Sequence, residues 1–141
     1  MGVPFLEQPV RGSDGWPLSG ATSGSVRPFE AGVLSMLHMP DKAMEAFCTA
    51  LRLAPTFVMA HVAMAHLVLS EDPAAGRAMT RLLAPFPRTD REASHLAILA
   101  GWGEDGADTS ALDRHLAAWP GDTLATALLV AMQAARPLAT G

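Results

Sequence analysis

Ala43-Met44-Glu45-Ala46-Phe47-Cys48-Thr49-Ala50-Leu51-Arg52-Leu53-Ala54-Pro55 is the stretch that decides the fold. Ala43, Phe47, Ala50 and Pro55 stand four, three and five residues apart, and Ala75, Met79, Leu82 and Pro87 repeat those intervals 32 positions later. Intervals of three and four join neighbours on one helical face. A small residue there lets two helices approach, and a bulky one a turn later fills the gap. Proline closes the unit because it cannot continue a helix. A degenerate third copy lies around Leu112 and Pro120.

Outward from this unit the chain reads as helices cut by proline and Gly/Asp clusters, with no sustained period-2 alternation to suggest strands. Residues 1–24 carry Pro4, Pro9 and Pro17 among glycines and hydroxyl residues, which predicts an extended or disordered arm with a turn at Ser13-Asp14-Gly15. A first helix is expected over 25–38, with Pro28 in its first turn. Asp41 should cap a second that stops before Pro55, and Thr56 a third that runs to about Ser70. Asp72-Pro73 opens a fourth, ending near Pro85. Thr89 and Glu92 form the capping-box pattern of a fifth. After a break at 103–108, a sixth covers about 109–118, and Pro120-Gly121-Asp122 leads into a seventh that reaches Arg136. The expected fold is all-α, an α–α superhelix of about seven short helices in antiparallel pairs over 25–136, with 137–141 as a tail.

Composition narrows the functional classes. In 141 residues, half apolar, 14 acids face 10 bases for a net charge of −4, which disfavours the concentrated positive surface that phosphate backbones require. Nine of the ten bases are arginine and Lys42 is the only lysine, a bias expected of GC-rich bacterial genes. Cys48 stands alone, so neither an internal disulfide nor a cysteine-built zinc site can form. The first residues lack a secretory pattern, and the longest apolar stretch, 57–69, is too short to span a bilayer. The expectation is a cytoplasmic protein without nucleic-acid or membrane partners.

The A-x3-F-x2-A-x4-P arrangement resembles the second helix of a tetratricopeptide repeat, although the signature Trp and Gly of the first helix are missing. Longer fragments are more specific. Pro17-Leu18-Ser19 precedes the first helix, and Pro55-Thr56-Phe57-Val58-Met59-Ala60-His61 joins the second to the third. Thr89-Asp90-Arg91-Glu92-Ala93-Ser94-His95 and then Trp119-Pro120-Gly121-Asp122-Thr123-Leu124-Ala125 follow. In this order they resemble the N-terminal part of the tetratricopeptide repeat protein 38 family, whose pattern is P-L-S, D-P-x-F-x-x-x-H, T-x-R-E-x-x-H and H-P-x-D-x-L-A. Ala54 and Trp119 depart from it, standing where an acid and a His precede the two prolines. The resemblance implies a helical-repeat interaction protein and assigns no catalytic activity.

Histidines are the candidates for metal or acid–base chemistry. His61 and His66, five apart, diverge by about 140° round a helix and cannot share a metal. His61 and His95, on neighbouring helices, are the candidate ligand pair for a metal or small molecule; the plainer reading of each is a packed imidazole bonded to a carbonyl. His38 and His115 lie near helix C-termini, where the dipole favours a cation. Cys48 has no basic neighbour to activate it and reads as a packing residue. Gly101-Trp102-Gly103 follows a helix, not a strand, and Glu104, Asp105 and Asp108 lack the spaced series of a Ca²⁺ loop. The methionines, Met36, Met39, Met44, Met59 and Met64 among them, read as core filling more than as an adaptable binding surface.

The seventh helix carries no charge between Asp122 and Arg136. Leu124, Ala127, Leu128, Ala131 and Ala135 form a stripe that can pack inward, leaving Leu129, Val130 and Met132 as a candidate partner interface. Arrays of stacked helices need a polar terminal face, and no such face is legible here. The expectation is therefore a non-enzymatic interaction module without cofactor: a scaffold, or a subunit of a larger complex that has no stable life alone, bound to a partner or a second copy through the C-terminal helix. The alternative is an accessory protein that binds a metal or small molecule through His61 and His95.

Overall fold

A computed structural model describes residues 9–101 and 109–135, and these are helical with no strand among them. The elements are α1 (Ser23–Ser35), α2 (Pro40–Leu53), α3 (Val58–Glu71), α4 (Pro73–Leu82), α5 (Asp90–Gly101), α6 (Ser110–Ala118) and α7 (Thr123–Ala135). No helix among the described residues is long and apolar enough to cross a membrane. Residues 1–8, 102–108 and 136–141 lie outside the described residues, and with them the readings placed on Trp102, Gly103, Glu104, Asp105, Asp108 and the tail.

Seven helices stand where the punctuation puts them, and local chemistry sets their ends. Asp72 accepts a hydrogen bond from Ala75 N–H (3.2 Å) with Pro73 at the first helical position, which caps α4. Thr89 and Glu92 complete their capping box: Glu92 N–H donates to Thr89 Oγ1 (3.2 Å) and Thr89 N–H to Glu92 Oε1 (2.8 Å). Three helix starts differ from expectation, and α1 and α4 end three residues early, at Ser35 and Leu82. α1 begins two residues early because Ser25 Oγ accepts from Thr22 N–H (2.9 Å), which leaves Pro28 in the second turn beside the exposed Gly24. Met39, not Asp41, is the N-cap of α2, since Pro40 takes the first helical position. Phe57, not Thr56, precedes α3.

Packing follows the apolar faces. α1 lies along α2 and α3 along α4 as two tight hairpins, and α3 also touches α2 and α5. α3 is apolar on nearly every side and accordingly occupies the centre. Ala43, Phe47 and Ala50 are fully buried, as their intervals demand, with Phe47 and Phe57 flanking Phe29 (centroids 6.0 and 4.9 Å). Gly76 in α4 and Leu83 at its C-cap are buried, whereas Leu82, the last residue of the helix, stands exposed. The packing register of the second unit therefore repeats Ala43 and Ala50 at 33, one residue beyond the spacing of the prolines.

Gly76 shows how tight the α3–α4 hairpin is. A Cβ there would fall 2.7 Å from both Cα and Cβ of Leu69. Backbone cannot rotate away, so the helices must part. Gly76→Ala should lower unfolding free energy by about 1–2 kcal/mol despite alanine's better helix propensity, as overpacking outweighs it; a urea titration that shows stabilisation would contradict the packing described.

Part of the predicted N-terminal arm is folded onto the body. The turn at Ser13-Asp14-Gly15 forms, closed by Gly15 N–H to Gly12 O (2.9 Å) and by the bridge between Arg11 and Pro17. Leu18 is buried, and Val58 N–H donates to Ser19 O (3.0 Å). Gly20 adopts φ +77°, and a Cβ there would meet Thr56 O at 1.9 Å, which only glycine avoids. Residues 9–22 are thus an extended strap that crosses from α1 to α3, α5 and α7.

Candidate functional site

Asp122 ends the turn before α7 with a fully buried side chain. Its Oδ1 accepts from Ala125 N–H (3.0 Å), capping the helix. Its Oδ2 accepts from three donors: Arg91 Nη1 (2.9 Å), His95 Nε2 (2.8 Å) and His115 Nε2 (2.8 Å). Arg91 Nη2 continues to Pro17 O (3.3 Å) on the strap, and the buried Glu92 receives Ser19 N–H (2.9 Å). One carboxylate thus joins α5, α6 and α7, while its neighbours Arg91 and Glu92 hold the strap against them.

The electrostatics follow from burial. Burial alone would raise the Asp122 carboxyl, but hydrogen bonds from His115 and His95 hold it well below the ordinary carboxylate range. Burial lowers His95 against the opposing pull of Asp122, so the ring stays neutral. His66, enclosed beside it on α3, is lowered to about 3 by burial and then by His95. A single anion, balanced by the Arg91 guanidinium, is the arrangement that a low-dielectric interior tolerates.

Two imidazole nitrogens and a carboxylate oxygen within 4.8 Å of one another constitute a zinc-type ligand set of His95, His115 and Asp122. Two features weigh against a cation at that point. Arg91 already places its positive charge 2.9 Å from the same oxygen. Metal ligation through Nε2 would also force the proton of His95 onto Nδ1, a buried atom with no hydrogen-bond partner. The set is chemically consistent as a proton-bonded cluster.

The predicted His61–His95 pair is not brought together in a common site. His61 Nε2 donates to Pro55 O (2.8 Å) and its ring rests on Phe86 (5.6 Å), a cap on the α2–α3 turn. His115, read as a dipole-facing cation at a helix end, is instead buried between His95 (4.3 Å) and Trp119 (4.9 Å). The sequence reading missed Asp122 and Arg91 as site residues. The resembling fragments nevertheless contain them: Pro17, Ser19, Arg91, Glu92, His95 and Asp122 are the residues that meet.

The predicted interface on α7 is narrower than its sequence suggested. Leu129 and Met132 are half-buried against the core, and of the three named residues only Val130 is exposed, at 43%. Ala131, expected inward, faces out, while Ala125 is buried. The strap and α1 hold the start of α7: Thr123 N–H and Oγ1 donate to Asp14 Oδ2 (3.2 and 3.3 Å), Trp16 Nε1 donates to Pro120 O (3.3 Å), and α1 touches α7. Cys48 is half-buried, as its packing role requires. No protein-family model matches the chain, and neither a curated protein nor a solved structure shows significant similarity to it.

Proposed function

We propose that this chain is a helical-repeat module that acts by binding a protein partner or a second copy, as a scaffold or a stabilising subunit. The observation that carries the reading is the α1–α2 turn. Leu34 (82% exposed), Leu37 and Met39 put three large apolar side chains in water within six residues. Contiguous exposed apolar surface of this kind marks interaction sites. Its position differs from the C-terminal helix expected at first, where Val130 is the remaining exposed candidate.

Leu34→Asp/Met39→Asp should abolish association while leaving the urea midpoint within experimental error, because exposed side chains contribute little to folding. Light scattering reports self-association, and co-purification under native conditions reports a partner. Val130→Glu is the parallel arm for α7. Association that survives both sets of changes would remove the reading.

A further inference from the structure

A cleft of about 300 Å³ runs between α5 and α6, away from the exposed leucines. Ser94, Ala97 and Ile98 form one wall and Ala111, Arg114 and His115 the other, with Trp119 at the end. Both walls use residues at i, i+3 and i+4, so two adjacent helical faces frame the space. Ser94 is half-buried there, and its Oγ lies 2.8 Å from His115 Nδ1.

For a neutral His115 ring, the carboxylate of Asp122 sets the proton placement in this chain of contacts. Asp122 is an acceptor, so His115 Nε2 must donate to it. A neutral ring then turns a lone pair at Nδ1 towards Ser94, whose hydroxyl donates. A hydroxyl, an imidazole that receives its proton, and a buried carboxylate that fixes the tautomer are the relay that activates a serine nucleophile. Arg91 and His95 hold the same carboxylate oxygen and keep it from swinging away.

We infer that Ser94 is a nucleophile activated by His115, with Asp122 as the positioning residue, and that the α5–α6 cleft accepts a small ester with an apolar acyl group. Ser94 Oγ bonds to the carbonyl carbon as its proton passes to His115 Nδ1. The bond from that carbon to the alkoxy oxygen breaks, and the leaving alcohol takes the proton. Water reverses the sequence: its proton goes to Nδ1, its oxygen bonds to the acyl carbon, and Ser94 leaves reprotonated. Ester and water become acid and alcohol. The amide groups around Ser94 are engaged within α5, so no pair of backbone donors is free to meet the oxyanion. Arg114, the cation lining the cleft, is the side chain that this inference assigns to the oxyanion.

The inference goes beyond the interaction reading and is tested independently of any partner. A small ethyl fluorophosphonate is the probe: Oγ–P forms, fluoride leaves and the proton passes to His115. Intact mass should show one adduct, mapped to Ser94 by peptide sequencing and absent from Ser94→Ala. His115→Gln should slow labelling about a hundredfold, the usual contribution of a general base. Circular dichroism verifies that each variant is folded; if His115→Gln is not, Trp119→Ala, which opens the cleft, serves instead and should change the labelling rate while Ser94 remains the site. Folded wild-type protein that takes no adduct, or Ser94→Ala labelled at the same rate, overturns the inference.

Discussion

Asp122→Asn is expected to lower unfolding free energy by about 3–5 kcal/mol, the cost of breaking a buried ion pair from one side. The substitution is nearly isosteric, so packing is preserved and the loss is electrostatic. Arg91 would keep its charge in the interior with no anion opposite it, and two imidazole N–H groups would lose their shared acceptor. An amide can still cap α7 through its oxygen, which separates this effect from simple loss of the cap. Urea unfolding followed by tryptophan fluorescence measures it directly, because Trp16 and Trp119 flank the cluster. Arg91→Met should be costly alone but cheaper on the Asp122→Asn background, giving a coupling of at least about 1 kcal/mol. Additive losses, or an Asn variant less than about 1 kcal/mol below wild type, would mean that the cluster is incidental to the fold.

Mild acid should destabilise the protein above the pH range in which ordinary carboxylates titrate. The unfolded chain takes up a proton at His66 near pH 6.5, whereas the folded protein refuses it until about pH 3. His95 is shifted in the same direction by burial. The unfolded state therefore binds more protons than the native state as pH falls below 6.5, and stability drops across that window. Each histidine held neutral contributes a slope approaching about 1.4 kcal/mol per pH unit. Asp122 continues the trend below pH 4, since its carboxyl stays ionised in the folded state after the unfolded one has protonated. Urea midpoints at pH 7, 6 and 5 should fall steadily, and His66→Leu should remove roughly half of the slope. A flat profile over that interval would show that the two rings are reached by water.

Much of the fold was legible because helix boundaries are set locally. Asp72-Pro73 and Thr89 with Glu92 announce their caps within four residues, and proline stops the preceding helices whatever surrounds them. The error at Asp41 is also local, since a proline takes the first helical position, whereas α3 starts at Val58 beside a hydrogen bond to Ser19 on the strap, a contact that no local stretch of sequence contains. The repeat was visible, but its inward register was not. Pro55 and Pro87 are 32 apart, yet Leu83 and not Leu82 faces the core, because Gly76 meets Leu69 and sets the rotation of α4.

The candidate site was legible only in pieces. Arg91, His95, His115 and Asp122 each looked ordinary along the chain, and Asp122 read as a turn residue ahead of a helix. The seven helices among the described residues, and most of their ends, follow from contacts within a turn or two of the backbone, which any one stretch of sequence contains. The cluster depends on hydrogen bonds that cross 31, 27 and 7 positions to one oxygen, with the strap 74 positions from Arg91. Periodicity gives the faces that can meet; the rotation and closure of the packed helices decide which polar atoms are enclosed together, and enclosure in a low dielectric is what makes four commonplace side chains a site.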